Sequence, residues 1–92
     1  MMRDFGFKDC RRGQQYCGAN GDADIVGLPG LHVECKVYRD RLKGGIYGAL
    51  DQSKRDVREG EVPVVFHRKD YCEALVTMRL EDWVNFYREW RK

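Results

Sequence analysis

Apolar and polar positions recur regularly enough to divide the chain into short elements. Met2 and Phe5, followed by Gly6, have the spacing of a last helical turn closed by a glycine. Phe7 to Arg12 alternates loosely, as an edge strand does. Gly13 to Asp22 is polar, carries the turn signal Asn20-Gly21, and predicts a mobile loop. Two short apolar runs then flank Pro29-Gly30, a pair suited to the central positions of a type II turn, so residues 24–36 read as a β-hairpin. Arg39 to Gly45 is a basic loop with two glycines. Ile46, Ala49, Leu50, Ser53 and Val57 form the narrow apolar stripe of a helix, on which Asp51 and Arg55 are spaced to pair. Glu59-Gly60-Glu61 ends it. Val62 to His67 is a nearly continuous apolar run, expected of a strand covered on both faces, with Pro63 near its start where a missing donor is tolerable. A strand, helix and strand of these lengths make a right-handed crossover with parallel strands. Glu73 to Arg79 is the last strand. Leu80 to Trp90 is a second helix, with Leu80, Trp83, Val84, Tyr87 and Trp90 on one face. Glu81 and Asp82 in its first turn, and Arg88, Arg91 and Lys92 at its end, suit the helix dipole. That aromatic face is expected to pack into the core, with a homodimer interface as the alternative use.

Charged groups interrupt the hairpin where a buried hairpin should have none. Asp24 opens the first run; Glu34 and Lys36 lie in the second, two apart and therefore on one face. Cys35 points the other way with Val33 and Val37. Two acids about ten residues apart, with a lysine two beyond the second, are the parts of a metal-dependent phosphodiesterase. The acids hold a divalent cation; the lysine steadies the attacking water or meets the charge developing on phosphate.

The motif Asp24…Glu34-Cys35-Lys36 resembles the signature of the PD-(D/E)XK nuclease superfamily. More narrowly, the chain is similar to small phage and prophage resolvase-like nucleases, relatives of Holliday-junction resolvases and VRR-NUC domains. The stretches that carry the likeness are Arg12-Gly13-Gln14-Gln15, residues 21–30, Val33-Glu34-Cys35-Lys36, Gln52-Ser53-Lys54-Arg55-Asp56 and residues 63–69. The resemblance implies a restriction-endonuclease-like α/β core: a mixed β-sheet, built from the hairpin and a parallel crossover strand, flanked by helices. It implies Mg²⁺ or Mn²⁺ held by Asp24, Glu34 and the backbone carbonyl of Cys35. Lys36 and Gln52 complete the catalytic set, the glutamine orienting the lysine or the water. Arg12, Gln14 and Gln15 in the N-terminal region, Arg39 and Lys43 in the basic loop, and His67, Arg68 and Lys69 after the parallel strand are the expected DNA contacts. The implied activity is structure-selective hydrolysis of branched or duplex DNA by a homodimer in the bacterial cytoplasm. In such relatives a longer N-terminal helix carries a further glutamate, and residues 1–21 contain no Glu, so that helix is expected to be truncated here. This leaves open a weakly active or inactive nuclease-fold module that binds DNA or modulates a host DNA-acting protein.

The hairpin sets its own geometric condition. With a plain two-residue turn at Pro29-Gly30, residue 28 would face 31 and 24 would face 35, so Asp24 would lie across the sheet from Glu34 and Lys36. A one-residue slip reverses the faces of a strand. A shared metal site therefore requires a bulge or an odd-length connection. The plain alternative leaves Glu34 and Lys36 as a solvated pair.

Composition narrows the picture. The 92 residues suit one domain near the lower limit for a single core. A net charge of +2 excludes a general nucleic-acid coat, so DNA contacts must come from local clusters such as Arg11-Arg12, the Lys36, Arg39, Arg41 and Lys43 group, and His67-Arg68-Lys69. Met1-Met2-Arg3-Asp4 opens no signal peptide, and no apolar run reaches membrane-spanning length. Cys10, Cys17, Cys35 and Cys72 include no C-x-x-C pair, which argues for reduced thiols rather than zinc, with Cys35 as a small buried hydrophobe.

Overall fold

The computed structural model describes residues 28–92 and, before them, the backbone of Arg11–Arg12 and Ile25–Val26. The elements are β1 (Arg11–Arg12), β2 (Ile25–Val26), β3 (Leu31–Tyr38), α1 (Gly45–Asp56), β4 (Val62–Lys69), β5 (Leu75–Met78) and α2 (Leu80–Trp90). The expected helix end at Gly6 and the loop at 13–22 lie outside the described residues. The strands form one sheet in the order β1-β2-β3-β4-β5, whose body is β3, β4 and β5. It is mixed: β3 and β4 run parallel, and the other neighbours are antiparallel. The fold of the described residues is therefore a small α/β arrangement of a mixed sheet and two helices.

The hairpin turn forms where Pro29-Gly30 predicts it. The Leu31 amide donates to the Leu28 carbonyl at 3.1 Å, and Gly30 has φ 89°, the left-handed value that a type II turn demands at its third residue. Beyond the turn, Ile25 pairs with Val33. The plain register would place position 26 there. The strand pairing is therefore offset by one residue from the plain register set by the turn. The slip that a shared site requires is thus present.

Helix α1 is the crossover between β3 and β4, which pair in register from Leu31↔Val62 to Tyr38↔Lys69. Gly44 and Gly45, at φ 79° and 72°, turn the chain into it through conformations that a side chain would strain. Alternation along the strands separates two buried layers. Val33, Val64 and Phe66 form the apolar core on one face, with Leu28, Leu31, Cys35, Val62 and Met78 packed against them. On the other face lie His32, Glu34 and Val65, beneath the buried Ala49 and Ser53 of α1. This double burial is why β4 reads as a continuous apolar run.

Several expectations are corrected. Strand β5 is shorter than 73–79 because Glu73 and Ala74 belong to the connection from β4. His67, Arg68 and Lys69 are the last residues of β4 rather than a segment after it, since the ladder to β3 continues to Lys69. Asp51 lies 3.8 Å from Lys54, one residue nearer than the Arg55 partner expected for it. Cys35 is half-buried at the edge of the core. The largest correction concerns α2, whose aromatic face does not enter the core: Leu80 is 75% and Trp90 74% exposed, and Trp83 and Tyr87 are exposed as well. Trp83 and Tyr87 stack on each other at 5.4 Å, and Arg91 lies over Trp90. Asp82 is the one buried residue of α2, tied to Arg79 at 2.8 Å. The pattern identifies an apolar face but not what lies against it. Among the described residues no helix is long and apolar enough to cross a membrane.

The division between core and exposed apolar surface is testable by urea unfolding. Val64→Ala, at 1% exposure, should lose about 2 kcal/mol of stability, whereas Leu80→Ala should change it by less than about 0.5 kcal/mol. Equal losses would contradict the packing described.

Candidate active site

Three chemically active side chains fall on one face of β3 because they are two residues apart: His32, Glu34 and Lys36. The first two are deeply buried, each 2% exposed, and Lys36 is half-buried nearer the end of the strand. Helix α1 lies over this face and is pinned to it by a buried contact, Ser53 Oγ donating to the His32 carbonyl at 2.8 Å. Helical spacing then sets what lies on each side of Ser53. Gln52 reaches Lys36, whose Nζ donates to Gln52 Oε1 at 2.9 Å. Asp56, one turn further on, comes to the other end of the row, where ligand atoms of His32, Glu34 and Asp56 all lie within 4.8 Å of one another.

The ring of His32 sits between carboxylates. Its Nε2 is 3.9 Å from Glu34 Oε1 and its Nδ1 is 3.7 Å from Glu61 Oε1. Neither distance is a hydrogen bond, and the buried Nε2 has no hydrogen-bond partner among the described residues. Glu61 is held in place by the Arg58 amide, which donates to its Oε1 at 2.8 Å.

Of the residues expected from sequence, Glu34, Lys36 and Gln52 are brought together. Asp24 lies outside the described residues, although the pairing of its neighbour Ile25 has the required register. Gln14 and Gln15 also lie outside, and of Arg12 only the backbone, in β1, is described. Arg39 and Lys43 are exposed in the loop entering α1. The trio at the end of β4 does not form one cluster. His67 pairs with Lys36 across the ladder, on the site face, and its Nε2 lies 2.9 Å from Thr77 Oγ1. Arg68, exposed, alternates to the other face, and Lys69 returns to the first. A grip on phosphate by His67 would have to compete with its contact to Thr77.

Sequence reasoning missed His32, Asp56 and Glu61. For His32 a signal existed, because the alternation that unites Glu34 with Lys36 includes position 32. Asp56 and Glu61 reach the cluster through the path of the crossover, for which no local signal exists. The donor chemistry fits the ion that the resemblance implies: the Glu34 carboxylate and the peptide oxygen of Cys35 are hard oxygen donors of the kind Mg²⁺ and Mn²⁺ accept.

Compared with protein-family models, the chain matches none. No curated protein matches it. No solved structure matches it.

The Lys36–Gln52 contact is open to a double-mutant cycle. Lys36→Met and Gln52→Leu, alone and combined, should show a coupling of about 1 kcal/mol in unfolding free energy. A coupling near zero would mean that the bond does not contribute in solution.

Proposed function

We propose that this chain is a metal-dependent endodeoxyribonuclease with a PD-(D/E)XK-type site on a restriction-endonuclease-like core. The observation that carries this reading is the 2.9 Å hydrogen bond from Lys36 to Gln52 on the sheet face that Glu34 occupies. A lysine two residues from a buried carboxylate, aimed by a glutamine from the crossover helix, is the arrangement the sequence resemblance implies. The offset hairpin register supports it, because only that register is compatible with Asp24 joining Glu34.

In this reading Glu34, Asp24 and the Cys35 carbonyl hold Mg²⁺ or Mn²⁺. Bound there, the ion lowers the pKa of a water and neutralises charge on the phosphate. Glu34, fixed by its burial, holds its carboxylate at one point. Gln52 restrains Lys36, which would otherwise sample many rotamers, so that its ammonium meets the attacking water or the charge that develops on the phosphate oxygens. Arg39, Lys43 and Lys69, all exposed, contact flanking phosphates without reading sequence, so selection falls on DNA shape. Two copies paired through the exposed face of α2 would present two such sites to a branched DNA, as a resolvase requires.

Cleavage of four-way junctions, flaps, duplex and single strands with Mg²⁺ or Mn²⁺ tests the proposal. Wild type should cut at least one of these. Lys36→Ala and Glu34→Gln should each lower the rate by roughly 100-fold or more, a loss of about 3 kcal/mol of transition-state stabilisation. Equal cutting by all three proteins would point to a contaminant and overturn the assignment. DNA binding by wild type without any cutting would assign the chain to a non-catalytic binding module instead.

A further inference from the structure

We propose that His32, Glu34 and Asp56 form a binding site for a divalent transition-metal ion. The site uses the α1 side of Glu34 and does not depend on the chain cutting DNA. Three independent features converge on it.

The first is an unanswered donor. His32 is 2% exposed, and its Nε2 has no hydrogen-bond partner among the described residues. Leaving a buried polar nitrogen unpaired is unfavourable, and folds rarely retain one without a use. That nitrogen lies 3.9 Å from Glu34 Oε1, too far to share a proton well but near enough that a small side-chain shift brings both onto one ion. The ligand atoms of His32, Glu34 and Asp56 lie within 4.8 Å of one another.

The second is the other side of the ring. Glu61 Oε1 stands 3.7 Å from His32 Nδ1 and is itself held by the Arg58 amide. Metal-bound imidazoles generally turn their second ring nitrogen toward a carboxylate or carbonyl, which sets the tautomer and makes the ligating nitrogen more basic. Glu61 stands on that side of the ring, and a small rotation of either side chain would close the 3.7 Å gap to a hydrogen bond.

The third is an acid in an unfavourable place. Asp56 is the last residue of α1, where the unpaired carbonyls already carry negative partial charge. Lys54 and Arg55 occupy the same turn, as the dipole favours, but Asp56 opposes it. Three carboxylates gathered about a single imidazole at a helix C-terminus make a strongly cation-attracting point. Asp56 is exposed, so an ion can enter from solvent at its side.

The donor set selects the ion. One imidazole nitrogen with two carboxylates suits Mn²⁺, Co²⁺ or Zn²⁺ and is poor for Ca²⁺ or Mg²⁺, which take oxygen ligands. The site can therefore be told apart from one that holds Mg²⁺ on oxygen alone.

The test is a titration of the full chain, freed of metal by chelator, with Co²⁺ and Zn²⁺, read by calorimetry and by the visible absorption of Co²⁺. Wild type should take up one equivalent and develop an absorption band that free Co²⁺ lacks. Asp56→Asn removes an exposed ligand without threatening the fold, and should weaken binding at least roughly 10-fold. His32→Gln should weaken it further and shift the band, because the nitrogen donor is lost. Asp51→Asn, the same charge change elsewhere on α1, should leave affinity within about twofold of wild type. The proposal is overturned if wild type takes up neither ion, or if Asp56→Asn binds as well as Asp51→Asn. Circular dichroism identifies a His32→Gln chain that has not folded, in which case Asp56→Asn alone decides.

Discussion

A single hydroxyl determines how the helical layer meets the sheet. Ser53 Oγ donates to the His32 carbonyl at 2.8 Å, and Ser53 is fully buried. The hydroxyl, if it lost this acceptor, would be left buried without solvent or partner, at a cost of about 1–3 kcal/mol. The contact therefore constrains both the height and the rotation of α1 above β3. Once it is made, helical geometry leaves little choice for the residues on either side. Gln52 comes over Lys36 and Asp56 comes toward Glu34, so the polar row along β3 and the polar side of α1 close on each other.

That polar row lies in what would otherwise be core. Glu34 and His32 sit in the same layer as Val65, Ala49 and Ser53, and a carboxylate brought so far from water is tolerated only where something answers its charge. Across the sheet, Val33, Val64 and Phe66 form a purely apolar layer. The two faces of β3 thus have different tasks. One holds the strand in place through dispersion and exclusion of water; the other holds donor atoms on a support that packing keeps rigid. Functional groups on a central strand are positioned more tightly than groups on loops, and this supports reading the row as a site rather than as incidental polarity.

Helix α2 contributes differently. It follows β5 directly, is anchored at its start by the Arg79–Asp82 pair, and shows most of its aromatic surface to solvent. The hydrogen bond to Asp82 raises the Arg79 pKa above its usual value. The aromatic rings pack mainly on one another along the helix. An exposed apolar stripe of this extent usually marks an interaction surface, which fits the paired arrangement proposed for cutting two strands.

Much of the fold was legible in the order of residues. Period-two and period-3.6 patterns are local; they placed α1 and α2 closely and the start of β4, which runs on past His67 to Lys69. Pro29-Gly30 specified the turn because only a residue free to adopt positive φ suits its third position. The pairing of Glu34 and Lys36 on one face was legible for the same reason, and position 32 could have been added by the same rule. Contacts between elements distant in sequence were not legible. The aromatic stripe of α2 looks the same in sequence whether a sheet covers it or water does. The approach of Asp56 and Glu61 to His32 depends on where a crossover of many residues returns. Amino-acid order by itself determined the elements and the faces of each, because backbone geometry repeats over a few residues. Only the tertiary structure decided which faces meet and which donors converge, because that follows from the burial of Ser53, the offset hairpin register and the parallel ladder acting together.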